Sequence, residues 1–476
     1  MRRLIITLLL TLAMTTSALA ATIQPGTSIE PKEHLPTKTR TVIDTHVVWG
    51  PGLQLVADDI IIADGGYLEI EPGTDVVMTD PVEFLIQAGG KIIAFGSVND
   101  PITFSGYQGQ EWDGFHLIGD ANSPADTRLH MARVTVQNTS SGAWGYNSYV
   151  TMIHCDMQAC GVQLQGCHGF VQNTTSTGGT GLGAFTVDAW FHITDCAVDG
   201  GSLGVSIMTV STGTGIISGC SATNGEAGCQ AMGNVTVSDS DFYANSYGIL
   251  LTGYNGDAST VTGCTMNNNT NVGVLALSGD YTSVFSSCDI SGNLTNVRLE
   301  PATLQTQTVI LGDDATGQGG NNRIINPGAT HVQNGTSATV KAENCYWGGG
   351  PGQLPIIRLK GSVDTYPLLV NDPFAKSAGE APAVTVECKA YPNPFNPSTT
   401  IAFEISDAGA HARLEVFDIR GRLVRSLVDD ALDAGRHEIT WRGEDSAGQR
   451  MASGVYLYSL RIDGRSAASG RLVMNK

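Results

Sequence analysis

Six short segments of this chain repeat one pattern at a nearly fixed interval. MIHCDM, ITDCAV, ISGCSA, VSDSDF, VTGCTM and FSSCDI set a small residue (Cys155, Cys196, Cys220, Ser240, Cys264 or Cys288) between alternating apolar positions. Successive members lie 41, 24, 20, 24 and 24 residues apart. The first gap is two periods, with FVQNTT and Asn173 filling the missing turn, and MARVTV around Val134 extends the series upstream. A second motif follows several of them (GVSIMTV, GILLTGY, GVLALSG), with Asn224, Asn245, Asn269 or Asn293 often between the two. Asn tolerates left-handed backbone geometry and bonds its neighbours' backbone, so it marks a turn. A strand–turn–strand unit of about 22 residues cannot bury a face alone, but stacked units share one continuous core. That period predicts a solenoid of the right-handed parallel β-helix kind. A β-propeller would need a period near 40–45 residues and a blade signature, and neither is present. In-register stacking would set Cys on Cys at about 4.8 Å.

The same reading extends in both directions. GGYLEIEPGTDVVMTD, FLIQAGGKIIAFGSVNDPITFSG and EWDGFHLIG resemble the opening coils of bacterial right-handed β-helix proteins of the pectin-lyase-like superfamily, with Gly-Thr and Pro-Ile corners between short strands. AENCYWGGGPG at 342–352 resembles the closing turn of that superfamily. The resemblance covers residues 41–370, roughly thirteen coils at this period. It speaks to fold and says little about activity.

Composition agrees with a β-rich chain of many tight turns. Charged residues are 15% and Gly is 58 of 476, against roughly 25% charged and 7% Gly in ordinary soluble domains. With 41% apolar residues the chain does not read as disordered. MRRLIITLLLTLAMTTSALA follows the secretory plan: Arg2 and Arg3, an apolar run from Leu4 to Met14, then Ala18-Leu19-Ala20. That run is too short to cross about 30 Å of hydrocarbon. Residues 1–20 are therefore expected to be a signal peptide and 21–40 an N-terminal segment, with no transmembrane span. From Lys389 onward 12 basic and 11 acidic residues nearly cancel, whereas 14 basic and 34 acidic residues precede them. The shift supports a boundary at a small-residue and Pro-containing linker, 371–388.

Ten cysteines in an exported chain first suggest disulfides. Five of them share one repeat position between apolar residues and read instead as stacked, buried thiols. Bridges between neighbours such as Cys196/Cys220 and Cys264/Cys288 stay open, because the spacing allows them although in-register parallel neighbours seldom have the required angle. No CxxC pair marks a zinc site.

Proteins of this β-helix class are often polysaccharide lyases, hydrolases or epimerases. Asp239 and Asp241 flank Ser240, so strand alternation would put both carboxylates on an outer face about 7 Å apart. Asp195 occupies the place of Asp239 two coils earlier, about 10 Å away. A separation of roughly 6.5–9.5 Å suits an inverting glycosidase, and the same acids would suit Ca²⁺ with an anionic sugar. No resident metal or other cofactor is otherwise implied. The bland alternative is three solvated carboxylates. Between Arg133 and Arg298 there is no Lys or Arg, only ten acids and His154, His168 and His192. A lyase acting on uronates needs a cation for the substrate carboxylate and a base for the adjacent proton, so one centred here is disfavoured. Nucleic acid is disfavoured too, because phosphate contacts dominate its affinity. Trp112, Trp144, Tyr146 and Trp190, with His116, Tyr149 and Tyr254, are candidates to stack on neutral sugars. An adhesin or surface scaffold accounts for the same features without turnover.

The C-terminal segment differs. TTIAFEI, ARLEVFDI, GRLVRSLV, HEITWRG, GVYLYSLRI and ASGRLVMNK alternate like strands of a small antiparallel sandwich. The prolines of YPNPFNPS cannot donate to a ladder and belong before the first central strand. These segments resemble the type A C-terminal sorting domain of type IX secretion substrates, itself close to the immunoglobulin-like part of flagellar hook-capping proteins. The resemblance covers 389–476 and rests on Asn393, Pro394, Phe395, Asn396, Pro397, Asp418 with Gly421, and Ser453-Gly454 before Tyr456. It implies recognition by outer-membrane export machinery and attachment to the surface of a Gram-negative-type bacterium. It also implies that Pro394, Phe395, Gly421, Gly454 and Tyr456 define the fold and do no chemistry. The expectation is an all-β chain, a right-handed parallel β-helix followed by a small antiparallel immunoglobulin-like β-sandwich. It would bind or display a surface to extracellular glycans, with a carbohydrate-active enzyme as the alternative.

Overall fold

The computed structural model of the chain describes residues 39–476 except 140, 255, 278, 302–306, 327–328, 349–356, 370, 375–387, 394, 406–408, 419–422, 447, 463–464 and 475–476. The signal peptide, most of the N-terminal segment and linker, Pro394 and Gly421 thus lie outside the described residues. As far as Tyr243 each coil contributes one strand to each of three parallel sheets, so strand n pairs with n+3, and the later coils contribute to two. Sheet A runs in fourteen strands from Arg40–Ile43 to Leu359–Lys360. Sheet B runs parallel to it from His46–Trp49 to Val363–Asp364, and sheet C holds nine strands from Gly52–Val56 to Asp241–Tyr243. Alternation turns every second side chain inward, and the interior is one apolar column from Ile43 to Trp347.

The corner from sheet B to sheet C has the same form in ten successive coils. A single residue with positive φ makes the turn: Arg133, His154, Asn173, Asp195, Gly219, Asp239, Gly263, Ser287, Asn321 and Asn344. Its N–H still joins the ladder, as Asp195 N–H to Ser218 O at 2.8 Å and Asp239 N–H to Thr262 O at 3.0 Å show. The chain therefore bends without losing a backbone hydrogen bond. The next residue turns inward and in most of these coils is small: Cys155, Thr174, Cys196, Cys220, Ser240, Cys264 and Cys288 are all at most 2% exposed. The two-period gap is filled by Thr174, whose Oγ1 accepts the Cys155 N–H at 3.3 Å; Asn173 is the corner residue before it. All ten cysteines are free. The ladder thiols donate to nearby carbonyls, Cys196 Sγ to Thr194 O at 3.2 Å and Cys288 Sγ to Ser286 O at 3.3 Å. Burial pushes the Cys155 and Cys345 thiols up to about 12, which leaves them poor nucleophiles.

The corner from sheet C back to sheet A holds an asparagine ladder. Asn245, Asn269 and Asn293 are 1–2% exposed. Asn245 Oδ1 accepts the Gly225 N–H at 2.9 Å, Asn269 Oδ1 the Asn245 N–H at 3.0 Å, and Asn293 Oδ1 the Asn269 N–H at 2.8 Å. Their amides donate to Ala222 O, Phe242 O and Met266 O. Asn224 is one place out of this register. It is a left-handed corner residue, matched by Ala244 and Asn268 in the next coils.

The C-terminal strands form a three-stranded antiparallel sheet (Lys389–Tyr391, Thr399–Ile405, Gly435–Trp441) and a four-stranded one (Ala410–Asp418, Leu423–Leu432, Gly454–Ile462, Arg465–Met474) around one core. Phe395 and Tyr456 pack on Trp441 at 5.5 and 5.0 Å between ring centroids. Phe395 N–H bonds Val473 O at 2.8 Å, and Asn393 Oδ1 accepts the Val473 N–H at 2.8 Å. Asn396 and Pro397, the last two of the motif, are exposed and lead into the strand at Thr399. Gly454 does not fit the fold-defining role, because a Cβ there would meet nothing within 4 Å.

Near the far end of the solenoid, His331 is 2% exposed beside Trp347. Its Nδ1 and Nε2 face the backbone N–H groups of Arg358 and Asn326 at 3.1 and 3.2 Å, so an imidazolium would find no acceptor for either proton. Burial, then the Arg358 charge, lowers it to about 4. A histidine whose folded pKa is depressed binds its proton better in the unfolded chain, so stability is full above about 6.5 and is lost as pH falls toward 4. Over that window His331 alone should remove about 3 kcal/mol. Thermal unfolding at pH 7 and pH 4.5 of the unmutated chain and of His331→Gln checks this, and an equal loss in the two would contradict it.

Candidate functional site

Asp195 and Asp239 are corner residues, not members of an outward strand face. The glycine of the following coil makes room for each carboxylate. A Cβ on Gly219 would come within 2.5 Å of Asp195 Oδ1, and one on Gly263 within 2.8 Å of Asp239 Oδ1. The corner thus stacks Asp, Gly, Asp, Gly, and Asp is one of the few residue types that visit this backbone conformation at low cost. Asp241 lies past the bend, as the first residue of the last sheet C strand, beside Ser221. The two acids expected on one strand face are therefore separated by the bend, and Asp195 remains two coils from Asp239. Three carboxylates do not converge, and among the described residues no group of three His, Cys, Asp or Glu side chains could hold a metal ion. A cleft lined by Asp64, Lys91, Asp120, Ser123 and Asp126 is polar and holds no aromatic residue.

The aromatic candidates separate as well. Trp112 is fully enclosed, its Nε1 donating to Gln137 O at 2.9 Å, so it serves the core and cannot meet a ligand from outside. Trp190 stands on the outer face of sheet B. Trp144 and Tyr146 share the strand Ala143–Tyr146 on the outer face of sheet A.

Around those two the chemistry is concentrated. Parallel register stacks His116, Trp144 and Gln163 in one outward row, and Ile118, Tyr146 and Gln165 in the next. The His116 and Trp144 rings are 3.5 Å apart and 16° from parallel. Glu83 Oε2 lies 3.6 Å from His116 Nδ1. His116 Nε2 is buried and has no hydrogen-bond partner in the described structure. The indole is 37% exposed over this pair, and Gln163 and Gln165 project into solvent beside it. A flat apolar face flanked by uncharged amides suits a pyranose: ring C–H groups lie on the indole and hydroxyls reach the amides. Gln163, Gln165 and Glu83 went unnoticed in the sequence, where GVQLQG reads as an ordinary alternating strand. Its in-register placement below Trp144 was the missing information.

Two family models match. One described as right-handed beta helix region covers residues 141–290, and one described as FlgD Ig-like domain covers 393–466. No curated protein matches the chain. Among solved structures, the chain is similar to latent PorU from Porphyromonas gingivalis at 23% identity, over 22% of this chain and 10% of that one, with a TM-score of 0.19. The chain thus spans about a tenth of that protein's length. It is also similar to the A-module of the mannuronan C-5 epimerase AlgE6 from Azotobacter vinelandii, at 13% identity over 69% and 89% of the two chains and a TM-score of 0.35. The Gp54 tailspike of Acinetobacter baumannii bacteriophage AP22 matches at 11% identity over 90% and 91%, with a TM-score of 0.29.

The corner geometry separates a structural aspartate from a chemical one. Asp239→Gly should leave the melting temperature within a few degrees, since glycine takes positive φ freely, whereas Asp239→Val should cost about 1–2 kcal/mol. Denaturant unfolding of the two variants measures the difference, and equal stabilities would contradict the assignment.

Proposed function

We propose that this is an exported protein whose β-helix binds uncharged extracellular glycans on the outer face of sheet A. The observation that carries the reading is the Trp144–His116 stack with Gln163 and Gln165 beside it. Trp144, Gln163 and Gln165 lie in a stretch, residues 134–297, that contains no Lys or Arg. That absence favours a neutral ligand over a uronate or a phosphate. Trp144→Ala should weaken binding of the best ligand on a neutral oligosaccharide array at least tenfold, about 1.4 kcal/mol, with the fold intact by circular dichroism. Unchanged binding would overturn the platform, and release of reducing ends from the same polysaccharide would make the chain a hydrolase.

Export rests on the secretory pattern of residues 1–20 and on the sorting-type pattern of 389–476. Phe395 and Tyr456 support the second by framing the core that the resemblance implies. Removal of 389–476 should strand the β-helix in the periplasm of its host, read by fractionation and surface proteolysis. Normal surface display would count against a sorting role.

A further inference from the structure

The outer face of sheet B carries a second set of groups that the sheet A platform does not use. Five consecutive strands there place Arg128, Tyr149, His168, Trp190 and Thr214 in one outward row. The adjoining outward row holds His130, Thr151, Phe170, His192 and Ile216. The rings touch in sequence. His130 and Tyr149 are 5.6 Å apart, Tyr149 and Trp190 6.1 Å, His168 and Trp190 6.1 Å, and Trp190 and His192 5.1 Å.

Two polar atoms in the middle of this array have no hydrogen-bond partner among the described residues. His130 is 9% exposed and Thr151 is 5% exposed, they sit directly opposite each other in the ladder, and the two atoms are His130 Nε2 and Thr151 Oγ1. Both side chains point away from the core, because Leu129, Met131, Val150 and Met152 on the same strands point into it. A buried donor or acceptor left unpaired costs about 1–3 kcal/mol. An adjacent pair of them on an outward face is costly packing, and a hydroxyl group bonded by both would recover that cost. The imidazoles are also held neutral. Burial lowers His192 to about 4, and burial followed by the Arg128 charge lowers His130 to about 4. His168 Nδ1 accepts the Trp190 N–H at 3.4 Å, which leaves Nε2 as its donor.

We infer that this face is a second saccharide subsite, in which Trp190 stacks on a sugar ring while Thr151 and His130 bond its hydroxyls. The ligand class is an uncharged glycan, and the inference rests on the reading of sheet A given above. The two faces adjoin: Tyr146 ends a sheet A strand, Tyr149 begins a sheet B strand, and only Asn147 and Ser148 lie between them. One glycan chain can therefore cross the corner and occupy both.

The test uses the full chain, calorimetry, and cellohexaose, xylohexaose and mannohexaose as probes. Trp144→Ala should retain a weakened site for the hexaose that the unmutated chain binds. Adding Trp190→Ala should abolish it, and adding the near-isosteric Thr151→Val should weaken it about tenfold. Were Thr151 merely a packing defect, Thr151→Val would raise the melting temperature and leave binding unchanged, which overturns the subsite. Complete loss of binding in Trp144→Ala, with Trp190→Ala indistinguishable from the unmutated chain, overturns the subsite and leaves the sheet A reading standing. Failure of the unmutated chain to bind any hexaose overturns both.

Discussion

The solenoid depends on a bend made by one residue. A strand cannot turn sharply within the usual extended region, and a longer loop would interrupt the inter-coil ladder. One residue in the left-handed region does both tasks at once, bending the chain while its N–H stays in the ladder. The conformational cost, about 1–2 kcal/mol for a residue with a Cβ, recurs in these ten coils and favours Gly, Asn and Asp, which hold seven of the ten corners. The residue that follows is thrown inward, where the bend leaves little room, and in eight of the ten coils it is Cys, Ser or Thr, with Val134 and Asn322 in the other two. Hydrogen bonds from thiols, hydroxyls and amides then serve the backbone groups that the bend exposes.

Much of this was legible because the bend is local. The recurring small residue between alternating apolar positions gave the period, and the period gave the stacking, since no single unit could bury its own face. What a linear pattern does not convey is which of two neighbours turns inward. Asn173 and Thr174 are both plausible turn residues, and only the register with Cys155 and Cys196 distinguishes them. Asn224 is in the same position beside Gly225. The acids were misplaced for a related reason. Strand alternation was carried straight through Ser240, whereas the backbone leaves the strand at Asp239, so Asp241 belongs to another sheet.

The aromatic residues were harder still. A Trp is equally at home in the column or outside it: Trp112 lies just ahead of the sheet A strand, bridged to Thr139, whereas Trp144 lies on such a strand and faces out. Recognition surfaces on a parallel solenoid are assembled across coils, from residues some 20 apart in sequence: His116 with Trp144 and Gln163, or His130 with Thr151. Neither grouping forms a motif that a contiguous stretch would disclose. What the sequence did convey was that both faces are poor in cations beyond Arg128, through the long run without Lys or Arg that starts after Arg133.

The constancy of the bend has a consequence for how such a rod can change length. From Arg133 to Asn344 the B-to-C corner is always one residue, while sheet A tolerates unequal strands, four residues at Ala143–Tyr146 and eight at Leu203–Val210. Coil length varies away from that corner residue, in sheet A and also in sheet B, where Gln318–Gly319 folds back on Gln307–Asp313 before Asn321. Inserting or deleting a whole coil would shift everything beyond it by about 4.8 Å along the axis and leave every remaining corner in phase. The molecule is in this sense extensible in discrete steps, its reach adjustable independently of the surfaces it carries.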